Sequence, residues 1–224
     1  MKTKIAVLLV LLPFCSIGQE EVQLRKEISE KVIAARKESE SLLPKYSWIS
    51  RTEVLKGKEL LNMVIEKNMF GTDGRIISTT LNEQGAKMPT AFLIRDIAEE
   101  EKTNIQKFLY GLRDFLKEYS LHDTNMLVRF IEGAVFEKTD SLKEYYFTGK
   151  NVVQPNDQMK WWIDDLLYST SKTEVVTTFD GDEIHFTATF ITLRNGLNYM
   201  GYAEVLIPAK NLTLQIQNYD YTID

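Results

Sequence analysis

Two different hydrophobic periods run along this chain, and the points where one replaces the other mark out its elements. Between Glu20 and Leu43, Ile28, Val32, Ala35 and Leu42 recur at spacings of 4, 3 and 7 among Lys, Arg and Glu. That is one face of an amphipathic helix, and Pro44 ends it. At Lys45 the period drops to two. Tyr46, Trp48, Ser50, Thr52 and Val54 of "KYSWISRTEVLK" share one face of a strand. "KGK" turns the chain into "ELLNMVIEKNMF", and "GTDGR" turns it back into "RIISTTLNE". Three antiparallel strands are predicted over 45–83, with Asp73-Gly74 as a hairpin signal because both positions of a tight turn tolerate positive φ there.

The period returns to helical in "NIQKFLYGLRDFLKEYS". Ile105, Phe108, Leu109, Leu112, Phe115, Leu116 and Tyr119 fall at spacings of 3, 1, 3, 3, 1 and 3, which predicts a helix over 105–119. Glu99, Glu100 and Glu101 would favour its N-terminal dipole. Asp123 or Thr124 is placed to cap a shorter helix over 125–133. The last third alternates again, punctuated by Gly149-Lys150, Asp180-Gly181 and Asn195-Gly196. "KTEVVTTFD", "DEIHFTATFITLR", "GLNYMGYAEVLIPAK" and "NLTLQIQNYDYTI" read as four neighbours of a meander. No Gly- or Pro-rich linker divides the chain, so the pattern is one α+β domain ordered helix, strands, helices, strands.

The first eighteen residues stand outside that pattern. Lys2 and Lys4 precede the apolar run Ile5 to Phe14, broken only by Pro13, and Ser16 and Gly18 lie three and one residues before Gln19. This is the grammar of a secretory signal peptide, too short to span a membrane. The expected organisation is a signal peptide over 1–18 and a single domain over 19–224, periplasmic or secreted. The competing expectation is a lipid anchor at Cys15, although Leu12-Pro13-Phe14 are not the small residues that should precede a lipidated cysteine. A cut before Gln19 removes the only cysteine, leaving a chain free of thiols and disulfides. It also removes Lys2 and Lys4, so 25 basic face 32 acidic side chains and the net charge goes from −5 to −7. An acidic domain without basic runs is a poor partner for nucleic acid, whose phosphates supply most of the affinity. No later stretch is long and apolar enough to span a membrane. The composition, 44% hydrophobic and 26% charged, is otherwise that of an ordinary globular domain.

Candidate chemistry is sparse. His122 and His185 are far apart and carry no ligand pattern, so no metal and no cofactor are expected. There is no Gly-x-Ser-x-Gly and no phosphate loop, since "GTDGR" precedes a strand. Asp164-Asp165 and Asp180-Gly181-Asp182 could supply paired carboxylates for glycoside hydrolysis. Turns and solvent-facing positions are the commoner home of such acids. The abundant side chains are aromatic: 10 Tyr, 11 Phe and 3 Trp. They suit a core, and they equally suit the wall of an apolar pocket under a helix laid across a curved sheet.

The order of elements resembles the LolA-like superfamily of periplasmic half-barrels, which includes the lipoprotein localisation factor, lipid-carrier lipoproteins and RseB-type sensors. The likeness rests on the long first helix, "YSWISRTEVLKGKE", "YYFTGKNVV", "MKWWIDDLLYSTSKTEVVTTFDGDEIHF" and the closing "YMGYAEVLIPAKNLTLQIQNYDYT". It implies a curved, unclosed antiparallel sheet of about ten strands, with helices covering its concave face and acyl chains or lipidated peptides bound inside. No arginine stands clearly where some members keep the one that controls their lid. In "MKWWID", Met159, Trp161 and Ile163 share the face expected to point inward. Phe108, Leu112 and Phe115 of the 105–119 helix should meet an inward set that includes Trp48, Val64 and Trp161, and these eight residues are the expected apolar site.

The function expected on these grounds is that of an exported, non-enzymatic and monomeric binding protein for a lipid or acylated peptide. The first alternative is a module with a self-filled core that binds another envelope protein. A hydrolase using Asp164 or Asp182 ranks behind both.

Overall fold

The computed structural model describes residues 14–85, 104–139 and 143–223. The first helix, α1 (Phe14–Leu42), starts ahead of the predicted Glu20 and so runs across the expected cleavage point. A 3-10 turn at Leu43–Lys45 carries Pro44 and delivers the chain into β1 (Tyr46–Lys56), β2 (Glu59–Phe70) and β3 (Ile76–Gly85). Then follow α2 (Asn104–Lys117), a 3-10 turn at Glu118–Ser120, and α3 (Thr124–Gly133). Seven strands complete the chain: β4 (Val135–Thr139), β5 (Glu144–Lys150), β6 (Gln158–Asp164), β7 (Thr170–Phe179), β8 (Asp182–Thr192), β9 (Asn198–Ile207) and β10 (Leu212–Ile223).

All ten strands belong to one unclosed sheet in the order β3-β2-β1-β10-β9-β8-β7-β6-β5-β4. Every pairing is antiparallel, as the hairpin-length turns demand. The only sheet neighbours distant in sequence are β1 and β10, joined from Tyr46↔Ile223 to Lys56↔Leu212 with an irregularity between Ser47 and Ile49. Asp220, opposite that irregularity, has φ of 53°, the mark of a bulge that lets the two strands twist together.

Local chemistry explains the boundaries. Asp123 caps α3 by accepting the amide of Met126 at 2.8 Å, which satisfies one of the four orphan amides of a helix start. Asp180 and Gly181 both take positive φ, 53° and 82°, so the β7–β8 hairpin is the tight turn expected. The β2–β3 hairpin differs. Asp73 keeps a negative φ, and the connection is a wider loop closed by hydrogen bonds from Gly71 to the Arg75 carbonyl and from Gly74 to the Gly71 carbonyl. Asp73 serves it differently, accepting the Arg75 amide on its side chain at 3.0 Å.

One apolar core lies between the helices and a single face of the sheet. Ile28 and Val32 of α1, Leu112 and Leu116 of α2, and Leu127, Phe130 and Ile131 of α3 share it with strand residues from Val54 through Phe147 to Ile216. The face assignment on β6 follows strict alternation: Met159, Trp161 and Ile163 are buried, Lys160 is exposed and Trp162 is intermediate. α3 approaches β5 so closely that a Cβ on Gly149 would stand 2.4 Å from the Phe130 ring. Any larger residue there would have to displace the Phe130 ring.

A candidate ligand cavity beneath the first helix

The residues expected to form the site are distributed among three environments. Leu112, Met159, Trp161 and Ile163 lie within the core, and Phe108 and Phe115 pack against its edge. Trp48 and Val64 are buried at 7% and 1% exposure but stand apart from that cluster. The α2 aromatics close on β7, with Phe108 and Phe115 at 5.4 and 5.3 Å from the Phe179 ring. Trp48 instead stacks on Tyr221 at 5.5 Å and leans on Phe70 at 5.8 Å. The reason is the register of β2. Its alternate residues Asn62, Val64, Glu66 and Asn68 are all at least nine-tenths buried, so this part of the face is mostly polar and holds Val64 between amide and carboxylate groups.

Met159 and Trp161 do reach open space. They form part of the floor of a cavity of about 310 Å³ between α1, the end of α2 and the sheet. β6 contributes these two residues, β7 Thr173, β8 Phe186 and Phe190, and β9 Asn198 and Met200. α1 supplies Val32, Ala35, Arg36, Ser39 and Glu40, and the segment after α2 supplies Tyr119, Ser120 and His122. The contribution of β8 was readable in the sequence, because Ile184, Phe186, Ala188 and Phe190 keep one face at period two. The contribution of α1 was readable only in part. Val32 and Ala35 belong to its apolar stripe, but nothing in the spacing singles out Arg36 from the other charged residues of the helix.

Arg36 is held in the cavity wall by donating to the carbonyl of Leu121, a residue in the left-handed conformation at φ 53°. Burial lowers its pKa below the ordinary guanidinium value, and the charge of Glu40 works in the opposite direction. Glu40 makes its own close approach to a different group, with Oε1 at 3.9 Å from His122 Nδ1. Ser39 anchors the same end of α1 to the sheet, donating to the Asn198 carbonyl at 3.0 Å and accepting its amide at 2.9 Å.

Next to the cavity, Tyr119 is 2% exposed and its hydroxyl lies 2.8 Å from both Asp157 Oδ2 and Thr177 Oγ1. Asp157, itself 1% exposed, also accepts the amides of Val152, Val153 and Gln154 at 2.6–2.9 Å. Three backbone donors and a phenol engage this carboxylate, which orders the 151–157 loop.

The acids considered for hydrolysis do not converge. Asp164 ends β6 and accepts the amides of Leu166 and Leu167, so Asp164-Asp165 is the start of a turn and does not present two faces of a strand. Asp182 pairs with Lys210 at 2.6 Å. Among the described residues no group of three or more His, Cys, Asp or Glu is arranged to hold a metal ion, and no helix is long and apolar enough to cross a membrane.

No family model and no curated protein matches the sequence. Two solved structures resemble the fold. A DUF1329 family protein from Desulfovibrio piger aligns over 89% of this chain and 92% of its own, with a TM-score of 0.48 and 10% identity. A LolA superfamily protein from Nitrosomonas europaea aligns over 83% and 93%, with a TM-score of 0.39 and 10% identity.

Proposed function

We propose that this protein is an exported binding protein that takes the apolar part of a lipid or acylated molecule into the cavity beneath α1. The observation that carries the reading is the cavity itself. At about 310 Å³ it falls at the lower end of the roughly 300–1,000 Å³ typical of small-molecule sites. Its floor is largely aromatic and thioether, from Trp161, Phe186, Phe190, Met159 and Met200, with polar groups both on α1 and on the sheet, where Thr170, Thr173 and Asn198 stand. Such an interior favours a chain that gains about 0.8 kcal/mol per buried methylene. The scarcity of convergent acids and nucleophiles fits a binder better than an enzyme.

The neutral dye Nile red tests the reading. The full chain should enhance its fluorescence, and a dodecyl compound should displace it. Ala35→Phe, which puts a ring into the cavity, should abolish both effects while leaving the melting temperature nearly unchanged. A wild-type protein that ignores the dye and every alkyl chain would overturn the proposal. One observation favours the alternative of an interaction module. The inner face around Phe147, Ile163, Leu127 and Ile131 is filled by the protein's own side chains at 0–1% exposure. The same titration decides between the two.

A further inference from the structure

Resting on that reading, we infer that the cavity selects a single acyl chain ending in a carboxylate, with Arg36 as the residue that recognises the head group. Two observations lead there. First, Arg36 is underused as a donor, although the wall carries one charge of each sign, Arg36 and Glu40. Arg36 lies on the cavity side of α1 and donates to one neutral acceptor, the Leu121 carbonyl. Among the described residues no carboxylate forms an ion pair with it. Glu40 acts on it only through its charge, without a direct contact, and its Oε1 lies 3.9 Å from His122 Nδ1. A guanidinium presents five donors in a planar fork, so most of that fork remains available beside an apolar floor. Partly buried cations are ordinarily paired, and a ligand anion supplies the missing partner through charge-assisted hydrogen bonds.

Second, the surroundings suit a carboxylate at the end of a chain. Ser39 on α1 and Asn198 on β9 also line the cavity, but they are bonded to each other, as Asn198 is to Thr170 and Thr192. They shape the wall and leave Arg36 to do the recognition. The volume of about 310 Å³ suits one chain of moderate length better than the two or three chains of a membrane lipid. Glu40 is the opposing feature. Its charge stands at the mouth, on the next turn of α1 from Arg36, and it restricts the ligand to one whose anion reaches past it to the guanidinium.

Displacement of Nile red by dodecanoate, dodecanol and dodecylamine, compared at about pH 7.5 where the acid is ionised, tests the inference with the chain length held constant. Dodecanoate should bind about tenfold or more tightly than dodecanol, the size expected of a charge-assisted bond, and dodecylamine should bind most weakly. Arg36→Gln should bring acid and alcohol within about twofold of each other, and Arg36→Lys should retain part of the preference. These are ratios within one protein, so a loss of stability from the missing Leu121 contact leaves them readable. Equal binding of acid and alcohol by the wild type would overturn the inference while leaving the proposed function standing. Failure of all three ligands would remove the proposed function as well.

Discussion

Tyr119 shows how much one side chain holds in place. It follows α2, its ring meets Phe115 at 5.6 Å, and its hydroxyl joins Asp157 and Thr177. Tyr119→Phe keeps the ring and removes the hydroxyl, leaving buried acceptors one donor short. Thermal or urea unfolding should report a loss of about 1–3 kcal/mol at neutral pH. The same residue shapes the alkaline limb. Burial raises the Tyr119 pKa, and the charge of Asp157 raises it further against the lowering effect of Thr177. The folded value therefore lies above that of the unfolded chain, near 10. Its contribution is complete below about pH 10 and is lost as the pH climbs through the folded value, because the unfolded chain releases its proton first. Tyr221 is raised for the same leading reason. A melting series from about pH 8 to 11 should fall steeply for the wild type and more gently for Tyr119→Phe; parallel curves would show that Tyr119 does not titrate as described. At this scale the sequence was only partly legible. Tyr119 was placed on an apolar stripe by its spacing, whereas Asp157, in "QPNDQ", offered no signal that a carboxylate would be enclosed.

The helices were legible as elements from their apolar spacing, but what fastens them to one another was not. Arg25, Ile28, Val32 and Arg36 follow one another at spacings of 3, 4 and 4 along α1, so its buried stripe has an arginine at each end. Arg25 donates to the carbonyls of Ile131 and Ala134, the latter at 2.9 Å, and thereby caps the C-terminal end of α3, where a cation also meets the helix dipole. Glu21 steadies the guanidinium at 2.7 Å. A hydropathy pattern counts both arginines as solvated, because it records the charge and not the carbonyls of another helix. Arg25→Met preserves much of the aliphatic stem and deletes the cap. It should cost about 1.5–3 kcal/mol and speed amide exchange in 127–134 ahead of the rest of the core. Unchanged exchange in α3 would contradict the capping role. The short strand β4 was also missed as a separate element: in "VFEKT" Phe136 packs on the core, while Val135 is 63% exposed, and five residues offer too little alternation to announce a strand.

For the molecule as a whole, alternation and turn residues gave the antiparallel meander of β7–β10 and the hairpins of β1–β3. They could not give the pairing of β1 with β10, since a strand's pattern records which face is buried and not which neighbour it meets. That one seam joins the β1–β3 sheet to the rest. Ile216, 3% exposed and paired with Thr52, lies within it. Ile216→Ala should cost about 2–5 kcal/mol and lower protection in β2 and β7 together, as measured by native-state exchange. Loss confined to one side would mean that the seam does not couple the two parts.

The seam also sets the order in which a newly made chain becomes protein. β1 ends at Lys56 and its central neighbour begins at Leu212. At about 5–20 residues per second, β1 waits roughly 8–30 s for its partner during synthesis. Throughout that interval one edge of β1 is unsatisfied and the sheet has no centre, so the nascent chain has no complete fold to settle into. The arrangement builds in a delay, with folding deferred by the position of a single strand.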